Sequence, residues 1–354
     1  MDLTLEEIGG WRAVLSRLAA GADLTGAEAG AALTDVFLGN ATEAQIAAFI
    51  FGLRCKGETV DEMAGMVAAM VAMCTPVPLP DAVAASVVDT CGTGGDRSGT
   101  INVSTIAALV VAGAGVPVCK HGGRAASSLA GSADVLEELG VVIDLGPSGV
   151  ARCVQEAGIG FCFAPKFHPA MRHAIPVRRE LGVPTAFNFL GPLANPARVR
   201  RQVVGVGDPA MAAKMAGVLA AGGSTAVLVV HGADGLDELS TTGPSTVHSL
   251  VDGRVTETVI SPSDLGLAPA VLADLTGGDA ATNARLALDV LSGRAGAHRD
   301  IVVLNAAAGL LVGGVCSSLA DGVALAQSVI DDGRASGRLA ALVSVSQAAR
   351  ASGL

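Results

Sequence analysis

From Asp81 onward, short β-branched runs alternate with alanine-rich stretches: ASVVDT, GVPVCK, GVVIDL, RQVVGV, TAVLVV and IVVLN. This alternation limits the chain more than any other feature. Runs of that length buried on both faces predict parallel strands, and the intervening stretches predict the helices that cover them. The predicted strands run at their C-terminal ends into Gly-rich or polar loops, where open α/β sheets bind ligands.

The first 75 or so residues carry a different pattern. In ATEAQIAAFIFGLRCKGET, Ile46, Phe49, Ile50 and Leu53 recur at helical spacing, with Thr42 as the expected N-cap. TVDEMAGMVAAMVAMC repeats it with Met63, Met66, Val67 and Met70, a stripe suited to helix packing. TPVPLP then breaks the helices. The expected organisation is a small helical domain over residues 1–80 and a large α/β domain with a mostly parallel central sheet over 81–354.

Composition excludes several function classes. Half the chain is hydrophobic, too much for disorder. A net charge of −10 and a lack of Tyr argue against a surface that stacks or neutralises nucleic acid. The longest apolar run, Ile106–Val118, is 13 residues with Gly and Pro inside it, whereas a membrane helix needs about 20. The N-terminus lacks a signal-peptide core. The seven cysteines form no C-x-x-C pair and are expected as small buried hydrophobes. These features predict a soluble cytoplasmic protein.

Four stretches carry candidate chemistry. In VVDTCGTGGDRSGTINVSTIAALVV, a strand ending at Asp89 or Thr90 leads through Gly92–Asp96 to a helix opened by Asn102–Thr105. Glycines expose backbone N–H groups and the helix start adds partial positive charge, so the segment suits a phosphate. It matches neither the P-loop nor the dinucleotide-binding spacing. The second stretch is CKHGGRAASS, a positive loop in an acidic chain. Lys120 is expected to reach past the strand end and Arg124 to fork onto a phosphate. GSADVLEELG beyond it predicts a short helix capped by Ser132 and stopped by Gly140.

The third, TAVLVVHGADGLDELSTTG, ends a strand at His231 and delivers Asp234, Asp237 and Glu238 on a loop. Adjacent carboxylates suit a hard cation that keeps much of its water, as Mg²⁺ does. His231 itself fits a packed or hydrogen-bonded histidine better than a base. The fourth is KFHPAMRHAIPVRRELGVPTAFNFLGPLANP. Lys166 to Arg201 holds seven Lys and Arg against one acid, Glu180. Arg178 and Arg179 begin or extend a helix there, GPLANP reads as a rigid turn pair, and a guanidinium suits a carboxylate-bearing substrate.

Taken together, these blocks resemble the anthranilate phosphoribosyltransferases of tryptophan biosynthesis. CGTGGD, NVST, KHG-R-ASS, GSADVLEELG, FHPAMRH, PVRRELG, FNFLGPLANP and DGLDELS stand in the family's order, across most of the chain. The resemblance implies a nucleoside phosphorylase/phosphoribosyltransferase-like fold. It implies that residues 171–195 pack back beside the helical domain, and that a homodimer forms through that domain. Its substrates would be phosphoribosyl pyrophosphate (PRPP) and anthranilate, with two Mg²⁺ ions.

On this resemblance Gly92, Thr93, Gly95, Asp96, Thr100, Asn102, Ser104 and Thr105 hold PRPP, together with Lys120 and Ser132. Ser104 helps hold one Mg²⁺; Asp237 and Glu238 hold the other. Anthranilate enters past Gly123, His168, Met171, Arg178 and Pro192, with Arg178 facing its carboxylate. Lys120, Arg178 and His121 sit closest to the chemistry. His121 and His168 are expected to position the substrate, since a neutral arylamine needs no strong base.

The chain departs from the family at Gly123, where the family usually has Asn, and at Ala194, where Thr is common. Gly123 keeps a backbone carbonyl contact and tolerates a left-handed conformation, but lacks the amide. A PRPP-dependent relative using a different aromatic amine is therefore the alternative enzyme. A non-catalytic nucleic-acid-binding relative is the alternative outside catalysis, against which the intact DGLDE loop and acidic charge argue.

Overall fold

The computed structural model describes residues 3–96, 98–125 and 129–354. Ser127 and Ser128 of the KHG-R-ASS motif, with Arg97 and Ala126, lie outside the described residues.

Four helices open the chain: α1 (Gly10–Ala19), α2 (Gly26–Phe37), α3 (Glu43–Lys56) and α4 (Val60–Met73). The last three start on a threonine. Thr25, Thr42 and Thr59 each accept from the backbone N–H three residues on, and Glu28, Gln45 and Glu62 return the bond. Met63, Met66 and Met70 are buried in the helical core, as their spacing predicts.

A short α5 (Asp81–Ala84) leads into β1 (Val88–Gly92), α6 (Val103–Gly113), β2 (Val118–Gly122), α7 (Ser132–Glu138), α8 (Pro147–Ala157) and β3 (Ile159–Phe163). Then come α9 (Ala164–Phe167), a 3₁₀ turn at Pro169–His173, α10 (Ile175–Leu181) and α11 (Phe187–Leu193). The chain returns to the sheet with β4 (Arg201–Gly205), α12 (Pro209–Ala221), β5 (Ala226–Gly232), β6 (Ser245–Val251) and β7 (Arg254–Ile260). It ends in α13 (Ala280–Leu291), α14 (Ala297–Gly313), α15 (Leu319–Asp331) and α16 (Arg334–Ala351).

The seven strands form one sheet in the order β3-β2-β1-β4-β5-β6-β7. The first five positions are parallel and the last two pairings antiparallel. Side chains alternate between two cores. Val203, Leu228 and Val230 face the core built with α6, α14 and α16. Val204, Val227 and Val229 face α12 and the N-terminal helices, a core that also takes in Val177, Phe187, Leu190 and Leu193.

Three sequence expectations fail. GVVIDL forms no strand: Val141, Ile143 and Leu145 are buried in alternation, but the Val142 N–H goes to the Ser346 hydroxyl of α16. The third strand is Ile159–Phe163 instead. IVVLN lies inside α14, where burial on every side removes the helical period from the sequence. The Gly-Pro-Leu of GPLANP belongs to α11, and only the part from Asn195 turns, with the Arg198 N–H on the Asn195 carbonyl.

Candidate functional site

The site lies beyond the C-terminal ends of β1, β2, β4 and β5. The β1–α6 loop crosses these ends and the β5–β6 loop folds over it. The Gly94 N–H, in the left-handed glycine pair Gly94–Gly95, donates to Asp237 Oδ2 at 2.7 Å. The Ser104 N–H, in the first turn of α6, donates to Glu238 Oε1 at 3.1 Å. Thr93 is held by its N–H on the Gly205 carbonyl, and its hydroxyl accepts from the Gly207 N–H.

Close approach fixes this arrangement. A Cβ on Gly205 would lie 1.5 Å from the Asp237 carbonyl oxygen, and one on Gly92 would lie 2.4 Å from Asp237 Oδ2. The loop with the two carboxylates therefore rests directly on bare backbone at the ends of β1 and β4.

Lys120 does not extend past the strand. It sits within β2, 2% exposed, and its ammonium donates to the Thr90 carbonyl and, at 3.2 Å, to the Ser104 hydroxyl. The positive charge is thus delivered under the α6 N-terminus from inside the sheet. Its surroundings explain how it is tolerated. Asp89 on β1 is fully buried, and burial raises its pKa against the opposing pull of Lys120. The Asp89 carboxylate accepts from the His121 N–H, the Asn195 amide at 2.8 Å and the Gln202 amide at 3.3 Å.

Arg124 also differs from expectation. Its guanidinium pairs with Asp134 at 2.7 Å and Glu137 at 2.9 Å. Ser132 is the first residue of α7 rather than its cap; Gly131 takes that place, its N–H on the Asp134 carboxylate. The Ser132 hydroxyl instead accepts from Thr105 Oγ1 at 2.9 Å. Asp96 binds the Ser98 hydroxyl at 2.7 Å, Ser98 contacts Thr100, and Thr100 pairs across to Thr276. Asn102 bonds the Ala130 carbonyl and accepts from Asn283.

The two carboxylates are electrostatically loaded. Burial, then the neighbouring Asp96 charge, pushes Asp237 up to about 7. Burial, then Asp237, pushes Glu238 well above the usual carboxylate range, with Lys120 opposing. Mg²⁺ commonly binds one or two carboxylates plus substrate phosphates, and two adjacent carboxylates whose mutual repulsion a cation relieves fit that mode. Among the described residues no set of three or more His, Cys, Asp or Glu forms a cage. Asp234 is already committed to the Ser240 and Thr242 hydroxyls, and His231 Nδ1 to the Val206 carbonyl.

The second group lies beside the first. His121, at the end of β2, and His168, before the 3₁₀ turn, have ring centroids 5.0 Å apart. They are 6% and 7% exposed, and Nε2 of each is buried without a hydrogen-bond partner among the described residues. Burial holds His121 down to about 3 and His168 down to about 4, so both are neutral near pH 7. Met171 is tied to His168 through the turn, and the Pro192 carbonyl accepts from Gln202. Arg178 forms no ion pair among the described residues; it lies 5.2 Å over the Phe187 ring, and burial lowers its pKa. The Gly123 carbonyl accepts from the Ala133 N–H.

The histidines give a pH prediction. Their folded pKa values lie below the unfolded 6.5, so below about pH 6.5 the unfolded chain binds more protons. Stability is therefore lost as pH falls from 6.5 toward 4, with a slope approaching about 1.4 kcal/mol per pH unit for each histidine. His168→Asn should show a smaller fall in melting temperature between pH 7.5 and 5 than the parent chain. Equal falls would contradict a neutral buried His168.

Asp89, Asn195, Gln202, Asn283 and Asn305 organise the site, yet none of them is singled out by a motif in the sequence. Two left a signal: Asp89 is an acid inside a β-branched run, and Asn305 interrupts the apolar IVVLNAAAGLLVG.

Comparison with known proteins agrees with this geometry. Residues 12–74 match the helical bundle domain of a glycosyl transferase family, and residues 84–336 match its a/b domain. An anthranilate phosphoribosyltransferase from Salinispora arenicola is 51% identical over 96% of this chain and 98% of its own length. The crystal structure of the Thermus thermophilus anthranilate phosphoribosyltransferase superposes with a TM-score of 0.88 at 41% identity, covering 94% of this chain and 99% of that one. The Saccharomyces cerevisiae enzyme in complex with PRPP and Mg gives 0.87 at 28% identity, covering 96% and 98%. With the fold, the order of its motifs and relatives of this identity all in agreement, the chain belongs to the anthranilate phosphoribosyltransferase family.

Proposed function

We propose that this chain transfers the phosphoribosyl group of PRPP to the amino nitrogen of anthranilate, giving N-(5-phosphoribosyl)anthranilate and pyrophosphate in tryptophan biosynthesis. The observation that carries this reading is the meeting of two unlike surfaces at the C-terminal ends of the central strands. One has backbone N–H groups, the buried Lys120 ammonium and the Asp237–Glu238 pair. The other has two neutral imidazoles and a guanidinium with no ion pair among the described residues. The first suits a polyanion, which needs a local positive field in a chain of net charge −10. The second suits an aromatic amine bearing a carboxylate.

In the reaction the bond from ribose C1 to the pyrophosphate oxygen breaks, with the electron pair leaving on oxygen. The amine lone pair forms the new C–N bond and the nitrogen then releases a proton. Ribose passes through oxocarbenium character, so the main tasks are receiving the leaving group and aligning the amine. Lys120, the α6 N-terminus and the Gly92–Asp96 backbone serve the first task, with Thr100, Asn102, Thr105 and Ser132 around the substrate. Mg²⁺ held by Asp237 and Glu238, and a second ion helped by Ser104, would neutralise pyrophosphate charge. The Nε2 lone pairs of His121 and His168 accept from the amine N–H groups, and Arg178 faces the carboxylate. Met171, Pro192 and Gly123 line the acceptor side.

The reading extends to a helical unit over 1–80 with 171–195 beside it, an α/β unit over 81–354, a homodimer through the helical unit, and a cytoplasmic location. No helix among the described residues is long and apolar enough to cross a membrane.

Mixing the protein with PRPP, Mg²⁺ and anthranilate should extinguish anthranilate fluorescence with turnover. Tight PRPP binding without turnover would favour a different amine acceptor. Gly123 tests that choice. Its φ lies outside the left-handed region, and a Cβ there would meet nothing within 4 Å, so Asn is accommodated without strain. Gly123→Asn should lower the KM for anthranilate about fivefold, the worth of one neutral hydrogen bond near 1 kcal/mol. An unchanged KM would point to another acceptor.

A further inference from the structure

The β5–β6 loop carries two repelling carboxylates, yet two clamps hold it in one shape. The inner clamp is Asn305, on the buried helix α14 and 3% exposed. Its Oδ1 accepts from the Leu239 N–H at 2.9 Å, and its Nδ2 donates to the Leu239 carbonyl at 2.8 Å and the Ile301 carbonyl at 2.9 Å. One amide thus grips both backbone groups of the residue that follows Glu238. The outer clamp is the exposed Asp234. Its carboxylate accepts from the Ser240 hydroxyl at 2.6 Å, the Thr242 hydroxyl and the Leu236 N–H.

An amide inside an apolar helix costs desolvation unless its hydrogen bonds are made, and a leucine would fill the same volume without that cost. What Asn305 adds is a fixed position for Leu239. That position matters because Leu239 directly follows Glu238, and the two carboxylates reach the Gly94 and Ser104 N–H groups only while the loop keeps this shape. A free loop would relieve the repulsion by swinging its carboxylates toward water. With Leu239 held from below and residues 234–242 stapled from above, the carboxylates stay over the α6 N-terminus before any cation arrives.

We propose that Asn305, assisted by Asp234, is a positioning residue for the cation-holding carboxylates, setting the Mg²⁺ requirement of the enzyme without touching substrate. This rests on the reading that Asp237 and Glu238 hold Mg²⁺.

The test is Mg²⁺ activation of turnover at saturating PRPP and anthranilate, in Asn305→Leu, Asp234→Ala and, in parallel, Asp237→Asn with Glu238→Gln. Supporting partners of metal ligands typically set affinity by about 10- to 100-fold. Asn305→Leu should raise the Mg²⁺ concentration for half-maximal rate by roughly tenfold or more, and Asp234→Ala should shift it the same way by less. The KM for anthranilate should stay unchanged in both. A lowered melting temperature with unchanged Mg²⁺ dependence in both variants would reduce the clamps to structural staples and overturn the proposal. Should Asn305→Leu fail to fold, Asp234→Ala decides alone, because its position is exposed; an unchanged Mg²⁺ requirement there overturns the proposal. If the carboxylate variant also keeps the parent Mg²⁺ dependence, the metal assignment itself falls and the proposal falls with it. A shift in the carboxylate variant alone overturns only the clamp.

Discussion

Asp237→Asn with Glu238→Gln is expected to lower turnover by about 10³-fold at millimolar Mg²⁺, on the scale found when developing charge loses a stabilising group. The amides preserve the local framework. Asn keeps an oxygen for the Gly94 N–H and Gln keeps one for the Ser104 N–H, so charge is what the variant removes. The same substitution should stabilise the metal-free protein. A carboxyl raised to about 7 in the folded state binds more protons there than when unfolded, so its contribution to stability is lost as pH rises between about 4 and 7. At pH 8 the parent chain bears that full cost and the variant does not. Without Mg²⁺ at pH 8 the variant should therefore melt higher than the parent, while its activity is lower. Activity that falls together with melting temperature would mean that the two side chains serve the fold rather than the metal.

How far the sequence speaks depends on what each segment packs against. β1, β2, β4 and β5 are legible because they are buried on both faces and end at glycines or in loops that start with them. IVVLN has the same composition for a different reason, since α14 is enclosed all round. GVVIDL has strand-like alternation because α16 offers it a surface, while its backbone finds a serine hydroxyl instead of a neighbouring strand. β6 and β7 escape notice for different reasons: β6 sets buried Val247 and Leu250 among Ser245, Thr246, His248 and Ser249, which dilute its apolar signal, and β7 closes the sheet edge with largely exposed residues that leave no buried face to announce it.

The site divides the same way. Glycines and carboxylates placed within a few residues are visible in sequence, and the β1–α6 and β5–β6 loops do meet as those motifs suggest. The placement of Lys120 is not visible. A lysine before His-Gly-Gly reads as a loop charge, whereas its burial depends on Asp89 one strand away and on Asn195 and Gln202 that hold Asp89. Arg124 shows the converse, a loop cation whose charge is met by Asp134 and Glu137 of the next helix. Long-range charge pairing leaves no local period to read.

The sharpest geometric test needs only one methyl group. Gly205→Ala would place its Cβ 1.5 Å from the Asp237 carbonyl oxygen and 2.4 Å from the carbonyl carbon. The strand cannot yield easily, because Gly205 pairs with Gly92 in the β1–β4 ladder and its carbonyl holds the Thr93 N–H at 2.9 Å. The β5–β6 loop must move instead, by about 2 Å to reach an ordinary contact, and it takes both carboxylates with it. A misplacement of about 1 Å at a reacting centre costs on the order of 10²-fold, so activity should fall by at least that factor. Overpacking of this kind destabilises by roughly 1–3 kcal/mol, which leaves a folded protein to assay. Gly337→Ala, in α16 with open space around the new Cβ, should instead stabilise by about 0.4–1 kcal/mol with unchanged activity. If Gly205→Ala retained full activity, the loop would not need to rest on β4, and the close seating of Asp237 would have no part in holding the cation.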